Sequence, residues 1–145
     1  MKKTFLFLII FFLLLACHAM SHSEFIIVNK AANVDIYVDE HSDELIKWAA
    51  NDLAEDFGNI LGTEISINYT DKMNPDTKGI YIGKFDDTLI KNLPENYIKQ
   101  LQNRWERFVI KNHGNNLFIV GSDIRGTVYG IFDVAERTGI SPWKW

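Results

Sequence analysis

Apolar residues recur along this chain with three different rhythms, and each predicts a different kind of element. From Phe5 to Ala16 they run unbroken behind Met1-Lys2-Lys3-Thr4. Val34-Asp35-Ile36-Tyr37-Val38-Asp39 instead alternates apolar and polar residues, the period of a half-buried strand. Phe25-Ile26-Ile27-Val28 reads as a short strand before it. From Asp43 the spacing widens to three and four, with Leu45, Trp48, Ala49, Leu53, Phe57, Ile60 and Leu61 falling on one helical face. Ser42 can cap the first turn, Asp43 and Glu44 suit the positive end of the helix dipole, and Gly62 provides a left-handed stop. Glu64 to Tyr69 alternates again, with Ile65, Ile67 and Tyr69 on one side. A polar loop through Asn74-Pro75-Asp76 leads to the glycine-bounded run Gly79-Ile80-Tyr81-Ile82-Gly83, the mark of a buried strand.

Pro94 interrupts the helical spacing of Leu89, Ile90, Leu93, Ile98 and Leu101, so Phe85 to Gln102 is expected to form two short helical turns. Phe108-Val109-Ile110-Lys111 and Leu117-Phe118-Ile119-Val120 flank Asn112-His113-Gly114-Asn115-Asn116, a turn that tolerates positive φ, and together predict a β-hairpin. A last helix runs from a cap at Ser122 or Asp123 to about Thr138, with Gly139 as its stop. Ile124, Val128, Ile131 and Ala135 would face the sheet, and Gly126 and Gly130, one turn apart, would let the helix backbone approach its neighbour closely. The expected fold class is α+β: a two-layer α/β sandwich in which two main helices pack on one face of a mixed β-sheet.

The apolar run at the N-terminus changes how the composition is read. A membrane span needs about 20 apolar residues, so this shorter run behind two lysines reads as a secretory signal over residues 1–17. Residues 18–24 form a polar tether. Cys17, the only cysteine, follows Leu14-Leu15-Ala16 as in a bacterial lipobox and is the expected lipidation site; ordinary cleavage before Met20 is the alternative. With one cysteine, no internal disulfide can form. Removing the leader's two lysines from the 15 basic residues leaves 13 against 19 acidic, a formal charge of −6 on the remaining 128 residues. That balance argues against a nucleic-acid partner and leaves membrane association to a lipid anchor. The length suits one domain and excludes a complete eight-fold βα barrel of about 250 residues.

Candidate chemistry is sparse. Gly121-Ser122-Asp123-Ile124-Arg125-Gly126-Thr127 has the two glycines of a phosphate loop, but Thr127 stands where that loop needs lysine and Asp123 would repel the anion. His18 and His22 are four apart but lie in the tether, and His41 and His113 fall in turns, so no metal site and no cofactor are expected. The acidic pairs Asp86-Asp87 and Glu55-Asp56 read as solvated faces rather than as two carboxylates flanking a glycosidic bond, and no catalytic residue is assigned. Asn68-Tyr69-Thr70 fits a glycosylation pattern but sits in a predicted strand. Trp143 and Trp145 alternate at the end of the chain and are candidate substrate-binding residues, as a platform for sugar rings; core packing is the other reading.

The stretch Leu117-Phe118-Ile119-Val120-Gly121-Ser122-Asp123-Ile124-Arg125-Gly126-Thr127-Val128-Tyr129-Gly130-Ile131, continuing to Gly139-Ile140-Ser141-Pro142-Trp143-Lys144-Trp145, resembles the end of the N-terminal domain of glycoside hydrolase family 115, the xylan α-glucuronidases. The earlier elements resemble the small α/β domain that precedes the barrel in family 67 and family 20 glycosidases. The resemblance implies residues 25–140 as a non-catalytic N-terminal domain and 141–145 as the start of a catalytic barrel missing from this chain. It also implies an exported enzyme that removes glucuronic acid or 4-O-methylglucuronic acid side chains. The partners would be that barrel and glucuronoxylan. Two alternatives stay open: a free-standing surface carbohydrate-binding lipoprotein, and a structural domain with no ligand.

Overall fold

The computed structural model describes residues 34–74 and 77–140. The leader, the tether, the expected strand Phe25 to Val28, residues 75–76 and residues 141–145 lie outside the described residues, and with them Cys17, His18, His22, Trp143 and Trp145. The elements run β1 (Asp35–Val38), α1 (Glu44–Leu61), β2 (Ile67–Tyr69), β3 (Gly79–Lys84), a 3-10 turn (Thr88–Ile90), α2 (Glu95–Ile98), β4 (Phe108–His113), β5 (Asn116–Gly121) and α3 (Ile124–Arg137). Among the described residues five strands form one sheet in the order β2-β1-β3-β5-β4, parallel except for β4, which pairs antiparallel with β5 across the expected hairpin.

Side-chain alternation divides the core into two layers. Ile36, Val38, Ile80, Ile82, Leu117 and Ile119 point to one face, where α1 and α3 pack together on them. The α/β two-layer arrangement with both main helices on one face is therefore the one anticipated. On the opposite face, Tyr37, Tyr81 and Phe118 occupy one row across β1, β3 and β5. Their rings stack at 4.8 and 5.3 Å between centroids. Leu89, Ile90, Leu93 and Leu101 close over that row. Pro94 breaks the covering segment into the 3-10 turn and α2, as its missing N–H requires.

The buried face of α1 is rotated from the expected one. Ile46, Ala49, Ala50, Leu53, Ala54 and Phe57 are buried, whereas Leu45, Trp48, Ile60 and Leu61 are exposed, Trp48 at 60%. The buried stripe thus carries three small alanines beside Ile46, Leu53 and Phe57 and leaves out several of the largest apolar side chains. Ser42 is not the cap. Asp43 accepts from the Leu45 amide at 2.9 Å, a contact worth about 1 kcal/mol, and Gly62 closes the helix at φ 66°. At β2 the strand is shorter than its alternation suggested. Among the described residues it pairs only with β1, at the edge of the sheet, and Tyr69 lies at the rim, its hydroxyl accepting from Asn51 at 2.7 Å.

The glycine pair in α3 does what close approach demands. A Cβ at Gly126 would lie 2.3 Å from the Arg107 carbonyl oxygen, and one at Gly130 would lie 2.9 Å from Ile119 Cγ2. The helix therefore lies almost on the backbone that leads into β4, and this fixes the loop before that strand.

Candidate functional site

In an open parallel sheet, ligands gather where neighbouring strands send their connections to opposite faces. Here β1 leads into α1 on one face and β3 leads into the 3-10 turn on the other, so the divide lies at their carboxyl ends. The chain closes this point with its own carboxylates. Asp39, 2% exposed, accepts from the amides of His41 and Leu89, each at 3.0 Å. Asp87 accepts from the Lys84 amide at 2.7 Å and the Ser42 hydroxyl at 3.3 Å, and pairs with the Lys84 ammonium at 3.3 Å. The Asp86-Asp87 pair is thus split: Asp86 faces water, while Asp87 holds a turn instead of being solvated as expected. Asp56 is buried at 6% exposure, also against expectation, beside an exposed Glu55. For Asp87 the departure arises because a short carboxylate at a turn has a backbone donor, the Lys84 amide, within reach.

Lys84 sits among those carboxylates. Desolvation pulls its pKa down, but attraction to Asp87 and hydrogen bonding to Asp86 outweigh it, so the ammonium form is held above its ordinary range.

The N-terminus of α3 is likewise occupied. Asp123 accepts from the Gly126 amide at 2.8 Å, from the Glu106 amide at 2.7 Å and from the Ser122 hydroxyl at 3.2 Å. Thr127, where a phosphate loop would need lysine, is buried and donates to the Asp123 carbonyl at 2.9 Å. The donors that would cradle a phosphate are satisfied internally. Desolvation pushes the Asp123 carboxyl up, yet its hydrogen bonds from Gly126, Glu106, Ser122 and Arg125 together exceed that effect, and its pKa is lowered. A group depressed in the folded state stabilises the protein above its unfolded pKa, about 3.9 for aspartate, and that contribution is lost as pH falls through the folded value. An NMR titration of the Asp123 carboxyl carbon is expected to give a midpoint below about 3.9, with the Glu106 and Gly126 amides shifting in step; a midpoint at or above that value would contradict the cap.

These bonds also set the loop before β4. Ser122 donates its amide to the Arg107 carbonyl at 2.7 Å and accepts from the Arg107 amide at 3.0 Å, and Arg125 pairs with Glu106 at 2.9 Å. Asn103 and Glu106 both adopt positive φ, 55° and 52°. For a residue with a side chain that conformation costs about 1 kcal/mol or more. Between them Trp105 is 85% exposed. It stands at an open cleft of about 880 Å³ lined also by His41, Asp43, Lys84, Asp86, Arg104 and the Ser122 to Arg125 turn.

Of the residues singled out in the sequence, His41 lines this cleft with its ring exposed, and His113 ends β4, its ring tilted on Phe118 at 6.4 Å rather than lying in the turn. Among the described residues no group of three or more His, Cys, Asp or Glu could hold a metal. Trp105 and Arg104 are the residues that sequence reasoning missed. The signal was present: one tryptophan inside the polar run Gln102-Asn103-Arg104-Trp105-Glu106-Arg107, with no apolar rhythm to bury it.

Comparison with known proteins places this arrangement in context. Residues 17–134 match the family model described as the glycosyl hydrolase family 67 N-terminus. No curated protein matches. Among solved structures, a family GH115 4-O-methyl-α-glucuronidase with specificity for decorated arabinogalactans aligns at TM-score 0.65 and 23% identity, over 77% of this chain and 14% of its own. A GH138 enzyme targeting pectin rhamnogalacturonan II aligns at TM-score 0.45 and 22% identity, with the same coverages. The chain thus spans about 14% of the length of either enzyme, and the likeness to the GH115 enzyme is one of fold.

Proposed function

Since the chain belongs to the glycosyl hydrolase family 67 N-terminus family, we propose that it serves as the non-catalytic N-terminal domain of an exported glycoside hydrolase. The catalytic groups lie on a barrel that follows it, and the domain braces that barrel. The whole enzyme removes glucuronic acid or 4-O-methylglucuronic acid from the side chains of a xylan-type polysaccharide. The leader and Cys17 direct it out of the cell, anchored by lipid at that cysteine.

The family match over residues 17–134 carries this reading. The chemistry of the described residues supports it. Glycosidic hydrolysis needs two carboxyl groups flanking the scissile bond, about 5–9.5 Å apart according to mechanism, each able to hold or release a proton. Asp39, Asp87 and Asp123 instead accept backbone amides and hold turns in place.

The 145-residue chain incubated with glucuronoxylan is expected to release no uronic acid, whereas the polypeptide extended through the coding sequence downstream of the Trp145 codon is expected to release it. Uronic acid released by the 145-residue chain overturns the non-catalytic role. An unrelated gene downstream, in place of a barrel-coding frame, overturns the domain assignment.

A further inference from the structure

Trp105 is held out into water rather than left there. The chain takes two left-handed turns at side-chain-bearing residues, Asn103 and Glu106, on either side of it. The Asp123 carboxylate, the Ser122 hydroxyl and the Arg125 guanidinium then fasten the loop from behind. An indole 85% exposed on so constrained a loop is pre-organised for a contact, because little conformational freedom remains to be lost on binding.

The neighbours of the ring select the kind of contact. A protein interface is depleted of charge at its centre and presents several apolar anchors. Around Trp105 the lining is mostly charged, with Ile124 the only other large apolar side chain among the described residues. One aromatic face among planar polar groups instead matches a pyranose, which has an apolar face of C–H bonds and a rim of hydroxyls. Asp43 and Asp86 each commit one carboxylate oxygen, to the Leu45 amide and to Lys84, and the second oxygen of each makes no hydrogen bond among the described residues. Arg104 forms no ion pair among the described residues and can donate to ring or hydroxyl oxygens. The walls carry four carboxylates against three Lys and Arg cations, so an anionic sugar meets a net negative surface.

We propose that this cleft is a glycan-binding site, with a neutral pyranose of an oligosaccharide stacked on Trp105 and its hydroxyls bonded to Asp43, Asp86 and Arg104. It rests on the reading above only for the choice of glycan. The cleft's volume, about 880 Å³, lies within the range of small-molecule sites.

The test is calorimetric titration of the 145-residue chain with xylohexaose, and with a xylo-oligosaccharide bearing a 4-O-methylglucuronic acid branch. Xylohexaose is expected to bind. Trp105→Ala is expected to weaken it by roughly ten-fold or more, with Trp105→Phe recovering part of the loss and Trp48→Ala on the exposed side of α1 leaving it unchanged. Because Trp105 contributes almost nothing to the core, its variants should keep the parent circular dichroism and unfolding midpoint; an unfolded Trp105→Ala would overturn the assignment of this residue as a surface contact. Absence of binding to either glycan, binding of the acidic branch alone, or loss in Trp143→Ala with Trp105→Ala unaffected would each overturn the proposal. None of these outcomes bears on whether a barrel follows the domain, which the downstream coding sequence decides.

Discussion

Replacing Tyr81 by alanine is expected to destabilise the domain by about 3–5 kcal/mol, read as a lowered midpoint in urea unfolding at constant slope. Tyr81 is completely buried and is the middle ring of the row Tyr37, Tyr81, Phe118. Its removal opens a cavity between two rings that cannot collapse toward each other, because β1, β3 and β5 are fixed by backbone ladders. The hydroxyl contributes separately. It donates to the Asn74 carbonyl at 3.1 Å, and burial, the largest influence, raises its pKa. Tyr81→Phe keeps the stack and loses that bond and the hydroxyl's 3.4 Å contact with the Thr77 hydroxyl, so about 1–2 kcal/mol is expected. A Tyr81→Ala loss no larger than that of Tyr81→Phe would show that the row of rings is not what holds this face.

Gly121→Ala is expected to cost about 3 kcal/mol or more, measured the same way. A Cβ there would stand 2.1 Å from the Thr127 amide nitrogen and 2.6 Å from Thr127 Cα. These are backbone atoms of the first turn of α3, so no rotamer change relieves the clash and the helix itself must move. Moving it separates Asp123 and Ser122 from the Glu106-Arg107 segment. Loss of stability should therefore be accompanied by faster amide exchange at Glu106. Stability equal to the parent would mean that the α3 turn is softer than its contacts indicate.

The two-layer plan was legible because its signals are local and periodic: alternation in β1, glycine-bounded β3, the Gly114-Asn115 hairpin turn and the Pro94 break each act within a few residues. The α1 face was misread because periodicity counts large apolar residues, while the buried stripe includes Ala49, Ala50 and Ala54, which carry little apolar signal. Trp48 carries the stronger apolar signal and ends up in water. The charged residues were harder still. Asp123 was legible as the cap of α3, but Asp87 looks like a solvated loop acid in a one-dimensional string, and its role depends on a donor brought in by another element, Ser42 from 45 residues away. For Trp105 the difficulty is opposite: an isolated tryptophan in a polar run offers no rhythm, and its importance rests on the two left-handed residues beside it.

The strand order also dictates when during synthesis this domain can close. Ile80 pairs with Leu117 and Ile36 with Ile80, so the middle of the sheet joins segments some forty residues apart, whereas the β4-β5 hairpin and α3 are contiguous. Pairings so distant in sequence pay a loop-closure entropy before they return any contact, and they form late. A chain emerging from the ribosome therefore holds both strand neighbours of β1 once residue 84 has been made, but β3 lacks β5 until about residue 121 and α1 lacks α3 until about residue 137. The face of the sheet under the two helices must wait, half covered, for the last element of the domain.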